Sequence, residues 1–466
     1  MKTVLLAGVP QSPNLGDGLI ALTLNRLITM RENHRVIHFD LLHGLWEAEE
    51  SRLAAADSVR LRAAAGAESF SSSSMKGQLS KKTRDESAEG RLQLAGTQTD
   101  VRIHLNASGA SKRMTPDTIR RWKAYWLDKR RNARLNEPLR KAVAQSDAVF
   151  IGGGHLLIDT YWTFPLAIRR IAAEAKRQRK PLHLLLVGAR GPWSRQASRW
   201  LLGACRYATT IAVRDEDSRS FLLGMDASLS AKTVALADPA LYTPETFGLP
   251  GAGTPQMPVH TVRNTAGRST EPMTQLAASW PKAGSGRRPV VGLGIMDPNE
   301  MNRHCSYRWE RDACAAWWRN AAETLAARGC ELRLFTNGTA TDNAFVEQYV
   351  KPMCADVPHT KIMRYPATVA QLMDSIADCD AVIAQRLHAC IPALSLGKPT
   401  HGVIWDRKLE NIFTDLNLAG QLIDFRIPAE RTFGSIALDG ALPEGFLPVL
   451  DRKKRELFEH IGSILP

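Results

Sequence analysis

Short apolar runs, each closed by a polar or glycine-bearing turn, recur along the first half of the chain. Residues 2–8 (Lys-Thr-Val-Leu-Leu-Ala-Gly) form the first run, ended by Pro10, Pro13, Asn14 and Asp17. Leu19, Ile20, Leu22, Leu24, Leu27 and Ile28 then keep helical spacing from Gly18 onward. Residues 35–40, 147–151, 182–187 and 209–213 repeat the strand pattern, with helical stretches near 164–178 and 195–206. Strands that are apolar throughout, alternating with helices, predict parallel βαβ units covered on both faces. A second series follows: strands at 289–294, 331–335 and 380–384, helices at 309–328, near 341–350 and at 369–377, and a last helix near 446–461. The prediction is α/β: two Rossmann-like, doubly wound domains with a cleft between them.

The expected divisions are a first domain at 1–245, a linker at 246–288, a second domain at 289–420 and a C-terminal extension at 421–466. The linker is rich in Pro, Gly, Thr and Ser. An insertion over 41–140 interrupts the first domain. Within it, 66–100 carries Ser71–Ser74 and little apolar periodicity, and is expected to be mobile.

Composition narrows the class. The 466 residues are 44% hydrophobic and 23% charged, which excludes a mainly disordered, collagen-like or multi-span membrane chain. No run approaches the ~20 apolar residues of a spanning helix, and the N-terminal run reads as a buried strand, not a signal peptide. Seven cysteines, an odd number without a CxxC pair, read as reduced thiols of a cytosolic protein. No His/Cys/Asp cluster has zinc-type spacing, so no structural zinc is expected and no metal ligand is assigned. The 61 basic and 47 acidic side chains give a net charge of +14, densest between Arg120 and Lys141 where Trp122, Tyr125 and Trp126 also lie. That segment fits either a solvated helix with its tryptophans turned inward or an interfacial helix on anionic lipid.

Ligands of open α/β sheets sit at strand carboxyl ends, so four strand exits are candidates. Asn14-Leu15-Gly16-Asp17-Gly18 opens a helix, where backbone N–H groups bind anions or hydroxyls; Asp17 is equally suited to capping. Gly152-Gly153-Gly154-His155 lets backbone approach a ligand, but lacks both the Rossmann and the P-loop spacing. Arg214 leaves a strand just before Asp215, Glu216 and Asp217; it either pairs with those acids or presents its fork to a carboxylate or phosphate. In Gln385-Arg386-Leu387-His388, an arginine and a histidine two residues apart are expected to project to one side of an extended segment, a fixed cation beside a proton carrier.

Together, Asn14-Leu-Gly-Asp17, Asp147 to Gly154, Val213 to Ser218, Ala237-Asp-Pro239 and Arg386-Leu-His388 through Gly397-Lys-Pro399 resemble the polysaccharide pyruvyl transferase family. The resemblance implies a glycosyltransferase-B-like protein that moves the enolpyruvyl group of phosphoenolpyruvate onto a sugar diol, forming a pyruvate ketal. It implies no cofactor besides that donor substrate. Arg214, Arg386 and His388 map onto positions implicated in donor binding and catalysis. His388 is expected to be the general acid and Asp17 an acceptor-hydroxyl base or orienter. Arg214, Arg386, Leu387, Asn14, Gly16, Gly152, Gly153 and Gly154 are expected to bind substrate. The acceptor is a polysaccharide or lipid-linked oligosaccharide, the location cytoplasmic with peripheral membrane contact through 120–141, and no nucleic acid is expected. The competing readings are a nucleotide-sugar glycosyltransferase on the same fold and a non-catalytic binder of acidic polysaccharide.

Overall fold

The protein is described by a computed structural model covering residues 1–31, 34–46, 125–126, 133–160, 162–252, 286–302, 307–438 and 442–466. Met1–Trp46 and Tyr125–Pro466 make one compact unit, which holds both sheets. Glu47–Ala124 is the other unit and lies outside the described residues, as do the expected mobile stretch 66–100, residues 253–285 of the expected linker and most of the basic run before Ala133.

The first sheet contains β1 (Lys2–Gly8), β2 (His34–Asp40), β3 (Gly44–Trp46), β4 (Ala148–Gly152), β5 (Leu182–Val187), β6 (Thr210–Val213) and β7 (Thr233–Ala235). They lie in the order β3-β2-β1-β4-β5-β6-β7, and only β3 runs antiparallel to its neighbour. Side chains alternate faces along β1. Leu5 and Ala7 join one core with Val149, Ile151 and Leu184, while Val4 and Leu6 join another with Phe150, Leu185 and Ala212. With both faces buried, the strand has to be apolar at every position.

The second sheet contains β8 (Val290–Gly294), β9 (Glu331–Phe335), β10 (Thr360–Ile362), β11 (Ala381–Ala384), β12 (Thr400–Ile404) and β13 (Leu422–Asp424). Its order is β10-β9-β8-β11-β12-β13, parallel throughout. Its core gathers Trp309, Trp317, Trp318, Phe345 and Phe433 around Val291, Leu293, Leu332 and Ile383. Both sheets reverse their order of strand addition at an interior pair, β1/β4 and β8/β11. Loops leaving such a pair diverge and open a crevice.

The structure redraws three expected boundaries. The ends of the 41–140 stretch belong to the first framework: Gly44–Trp46 pairs with β2, and the helix Ala133–Ala144 buries Leu135, Leu139, Ala142 and Val143. The second domain does not stop at 420, because β13 pairs with β12 and Ala429 and Phe433 of the helix Ala429–Ser435 join its core. The last helix, Phe446–Ile464, returns to the first sheet. Its Leu457, Ile461 and Ile464 complete the core of Val4 and Leu6. The Tyr242 hydroxyl donates to the Lys454 carbonyl at 2.6 Å, and Arg31 donates to the Phe458 carbonyl at 2.9 Å while lying over its ring. Among the described residues, no helix is long and apolar enough to cross a membrane.

Candidate active site

The helix Leu15–Thr29 begins where β1 ends. Asn14 is its N-cap, the side-chain oxygen accepting from the Gly16 N–H at 3.2 Å. The next orphan donor, the Leu15 N–H, reaches the Asn337 carbonyl at the exit of β9, 3.2 Å away. Gly16 faces His388 so closely that a Cβ there would lie 2.6 Å from the imidazole Nδ1. Asn14 and Gly16 therefore act first through the protein itself, seating this helix against the second domain. Asp17, half-buried in the first turn, stands beside Gly154, whose added Cβ would lie 3.4 Å from the Asp17 carboxylate.

The glycines after β4 are dictated mainly by packing. Gly153 and Gly154 have φ of +77° and +81°, a region side chains disfavour. A Cβ on Gly153 would stand 2.4 Å from Ile20 Cγ2, and one on Gly152 would press the Leu185 carbonyl at 3.0 Å. This tight turn delivers His155, whose Nδ1 accepts from the Arg214 guanidinium at 2.7 Å. Because a guanidinium can only donate, this contact leaves the proton of neutral His155 on Nε2.

Arg214 leaves β6 as a buried side chain, 8% exposed. Its Nε lies 3.7 Å from Asp215, the N-cap of the helix Glu216–Met225, and its Nη1 lies 4.0 Å from Asp238. Asp238, 1% exposed, caps the short turn Pro239–Tyr242 through the Ala240 N–H. Its second oxygen faces His388 Nε2 at 3.4 Å. Burial pushes the Asp238 carboxyl up, but His388, then Arg214 and the Ala240 N–H outweigh it and hold the carboxyl below its usual range. A continuous polar chain thus runs His388–Asp238–Arg214–His155, from the second domain into the first. An imidazole backed by a buried carboxylate can hold or release a proton, and the guanidinium beside it can balance anionic charge.

The Arg386–His388 pair does not project to one side. Arg386 is the extended N-cap of the segment Leu387–Ser395, Leu387 is half-buried, and the backbone kinks at His388 (φ -83°, ψ 20°), so the two side chains part to different partners. His388 goes to Gly16 and Asp238. Arg386 turns back into the second domain and forks onto fully buried Asp342, Nε to Oδ2 at 3.0 Å and Nη2 to Oδ1 at 2.9 Å. Asp342 also accepts the Asp297 N–H at 2.9 Å. Lys398 is likewise structural: its buried amine donates to the carbonyls of Ala377 and Cys379.

A cavity of about 580 Å³ opens at the His155 end of this chain; His388, Asp238 and Arg214 are not in its lining. His155, Arg190, Asp215 and Asp217 line it from the first domain, and Tyr307, Trp405, Lys408, Asp424 and Phe425 from the second. Asp215 of the wall lies 3.7 Å from Arg214 Nε. Sequence reasoning singled out none of Asp238, Asp342, Trp405 and Lys408 as a site residue. Asp238 had one local signal, an Asp-Pro pair opening a turn. Lys408 had another, a cation in the first turn of a helix, where the dipole disfavours it.

Residues 93–407 match the family model described as polysaccharide pyruvyl transferase. No curated protein matches the chain. Among solved structures, the chain is similar to the UDP-GlcNAc 2-epimerase from Methanocaldococcus jannaschii, with a TM-score of 0.48 and 10% identity over 98% of this chain and 100% of that one. It is also similar to the S. aureus protein of an MnaA–UDP co-structure, with a TM-score of 0.43 and 10% identity over 100% and 98%.

Proposed function

Since the chain belongs to the polysaccharide pyruvyl transferase family, we propose that it moves the enolpyruvyl group of phosphoenolpyruvate onto two hydroxyls of a saccharide, releasing phosphate. The supporting observation is the buried chain His388–Asp238–Arg214–His155, which ends at His155 in the wall of a cavity lined from both domains. In this reading the cavity is the cleft in which donor and acceptor meet.

The chemistry asks for a proton on C3 of the donor, attack of a hydroxyl oxygen on C2 with loss of its proton, which replaces the one given to C3, and cleavage of the C2–O bond to phosphate. The second hydroxyl then adds to C2, and its proton leaves with the phosphate. His388 serves as the acid toward C3, its imidazolium charge balanced by Asp238. Arg214 offsets the growing charge on the phosphate oxygens from a desolvated position, where such stabilisation is strongest. Asp17 orients the acceptor hydroxyl. The acceptor is a polysaccharide or lipid-linked oligosaccharide met at the cytoplasmic membrane face, with the basic run 120–141 as the contact.

A second reading has its own observation. Tyr307, Trp405 and Phe425 give the cavity an aromatic wall on which a nucleobase would stack. A nucleotide-sugar donor is therefore the rival. Phosphate release from phosphoenolpyruvate, measured across a panel of saccharide acceptors, separates the two. Acceptor-dependent release by the wild type, lost in His388→Ala while donor binding survives, is the expected result. Silence with every acceptor, together with calorimetric binding of a uridine diphosphate sugar, would overturn the proposal in favour of the rival.

A further inference from the structure

Lys408 belongs to the first turn of the helix Arg407–Asp415, behind the N-cap Asp406. A cation there opposes the helix dipole. Lys408 lines the cavity and is half-buried, yet among the described residues its amine makes no hydrogen bond and no ion pair. Two further cations approach it from the first domain, Arg214 and Arg190, Arg407 and Arg426 line the same cavity, and the acids of its wall are Asp406, Asp215, Asp217, Glu410 and Asp424. Burial first, then Arg214 and Arg190, push the Lys408 amine down to about 8 against the opposing pull of Asp406 and Asp215. A desolvated ammonium without a partner, beside a like charge and at the wrong end of a helix, is a costly arrangement that an anion would relieve. The expected clamp offers no alternative, because Arg386 spends its fork on Asp342.

We infer that Lys408 is the anion-binding residue of this cavity and that, with Arg214 and in place of Arg386, it receives the phosphate or carboxylate of the donor. The identity of that donor rests on the proposed function; the assignment of Lys408 rests on the cavity.

The test uses the full chain and three probes: phosphoenolpyruvate, inorganic phosphate and uridine diphosphate glucose, each titrated calorimetrically into wild type, Lys408→Met and Lys408→Arg. Loss of a charge-assisted hydrogen bond weakens anion binding by roughly 10- to 100-fold in the methionine variant, with partial recovery in the arginine variant. The wild type supplies a readout that needs no variant. An anion favours the charged amine, so its pKa rises on binding, and near pH 8 the protein takes up protons. That uptake is seen as a binding heat that depends on the ionisation enthalpy of the buffer, and it vanishes in Lys408→Met.

If the wild type binds phosphoenolpyruvate and the methionine variant binds it equally well, the assignment of Lys408 falls and the proposed function stands. If the wild type ignores phosphoenolpyruvate but binds the nucleotide sugar, with the same loss in the variant, the donor reading falls and Lys408 stands. Binding of none of the three anions by the wild type would overturn both.

Discussion

Removing Asp342 should unfasten the second domain before it touches chemistry. The carboxylate is fully buried and carries three contacts: two parallel bonds from Arg386 and the backbone N–H of Asp297. In Asp342→Ala the guanidinium, whose side chain is only 14% exposed, keeps its charge and loses its counterion. Breaking one partner of a buried pair costs about 3–5 kcal/mol, and the orphaned Asp297 N–H adds about 1 kcal/mol. A loss of about 4–6 kcal/mol is therefore expected from the two together. Urea unfolding is the assay. Its signal is tryptophan fluorescence, to which Trp309, Trp317 and Trp318 of the second core contribute among the chain's 11 tryptophans. Arg386→Ala should cost nearly as much, and the double variant should recover about 2–3 kcal/mol relative to the sum. The same cycle separates a strut from a substrate clamp. Measured in the Asp342→Ala background, Arg386→Ala should leave phosphoenolpyruvate affinity unchanged. A loss under about 1 kcal/mol in Asp342→Ala, the ordinary scale of an exposed pair, would refute the reasoning. So would a further large drop in donor affinity in the double variant.

Three other outcomes are expected. Gly16→Ala should lower turnover by about 100-fold, because its Cβ would displace the His388 ring; melting should stay near wild type, and unaltered turnover would show the contact to be slack. Asp238 has a folded pKa below its unfolded value, so it stabilises the protein above about pH 4 and that contribution is lost as the pH falls through the depressed folded pKa; Asp238→Asn should flatten the acid limb of the stability–pH curve, and an identical limb in wild type and variant would contradict this. Leu457→Ala removes a fully buried side chain from the core shared with β1 and should cost about 2–5 kcal/mol in a denaturant melt; a change confined to the last helix would refute its role in the first sheet.

The interior strands were legible because burial leaves short, mostly apolar runs closed by turn residues. Residues 2–8, 182–187 and 331–335 read as strands from the sequence and are strands in the structure. The edge strands β3, β7, β10 and β13 hold three residues each, too few for any periodicity. β12 was hidden for another reason. Its Thr400-His401-Gly402 reads as polar, yet Thr400 and His401 are buried and each bonds to a backbone carbonyl. In the site, Arg214 and His388 were visible as polar residues at strand exits. Arg386 looked equivalent to His388, and the difference came from a kinked helix start that sends one to Asp342 and the other to Asp238. Asp238, Asp342 and Lys408 have neighbours far away in sequence, and a single chain of letters carries no record of such encounters.

The return of the helix Phe446–Ile464 to the first sheet sets an order of events in synthesis. The strands of that sheet are complete once Ala235 has left the ribosome, but Leu457 and Ile461 follow only roughly 220 residues later. At the usual pace of translation the face formed by Val4, Leu6 and Phe150 waits roughly 10–45 s for its cover. During that interval the nascent first domain presents an oily surface while the second domain is still being made. Chaperone capture should concentrate in that window, and a fragment ending near residue 245 should collect in inclusion bodies, whereas supplying the Phe446–Ile464 helix in trans should draw some of it back into solution.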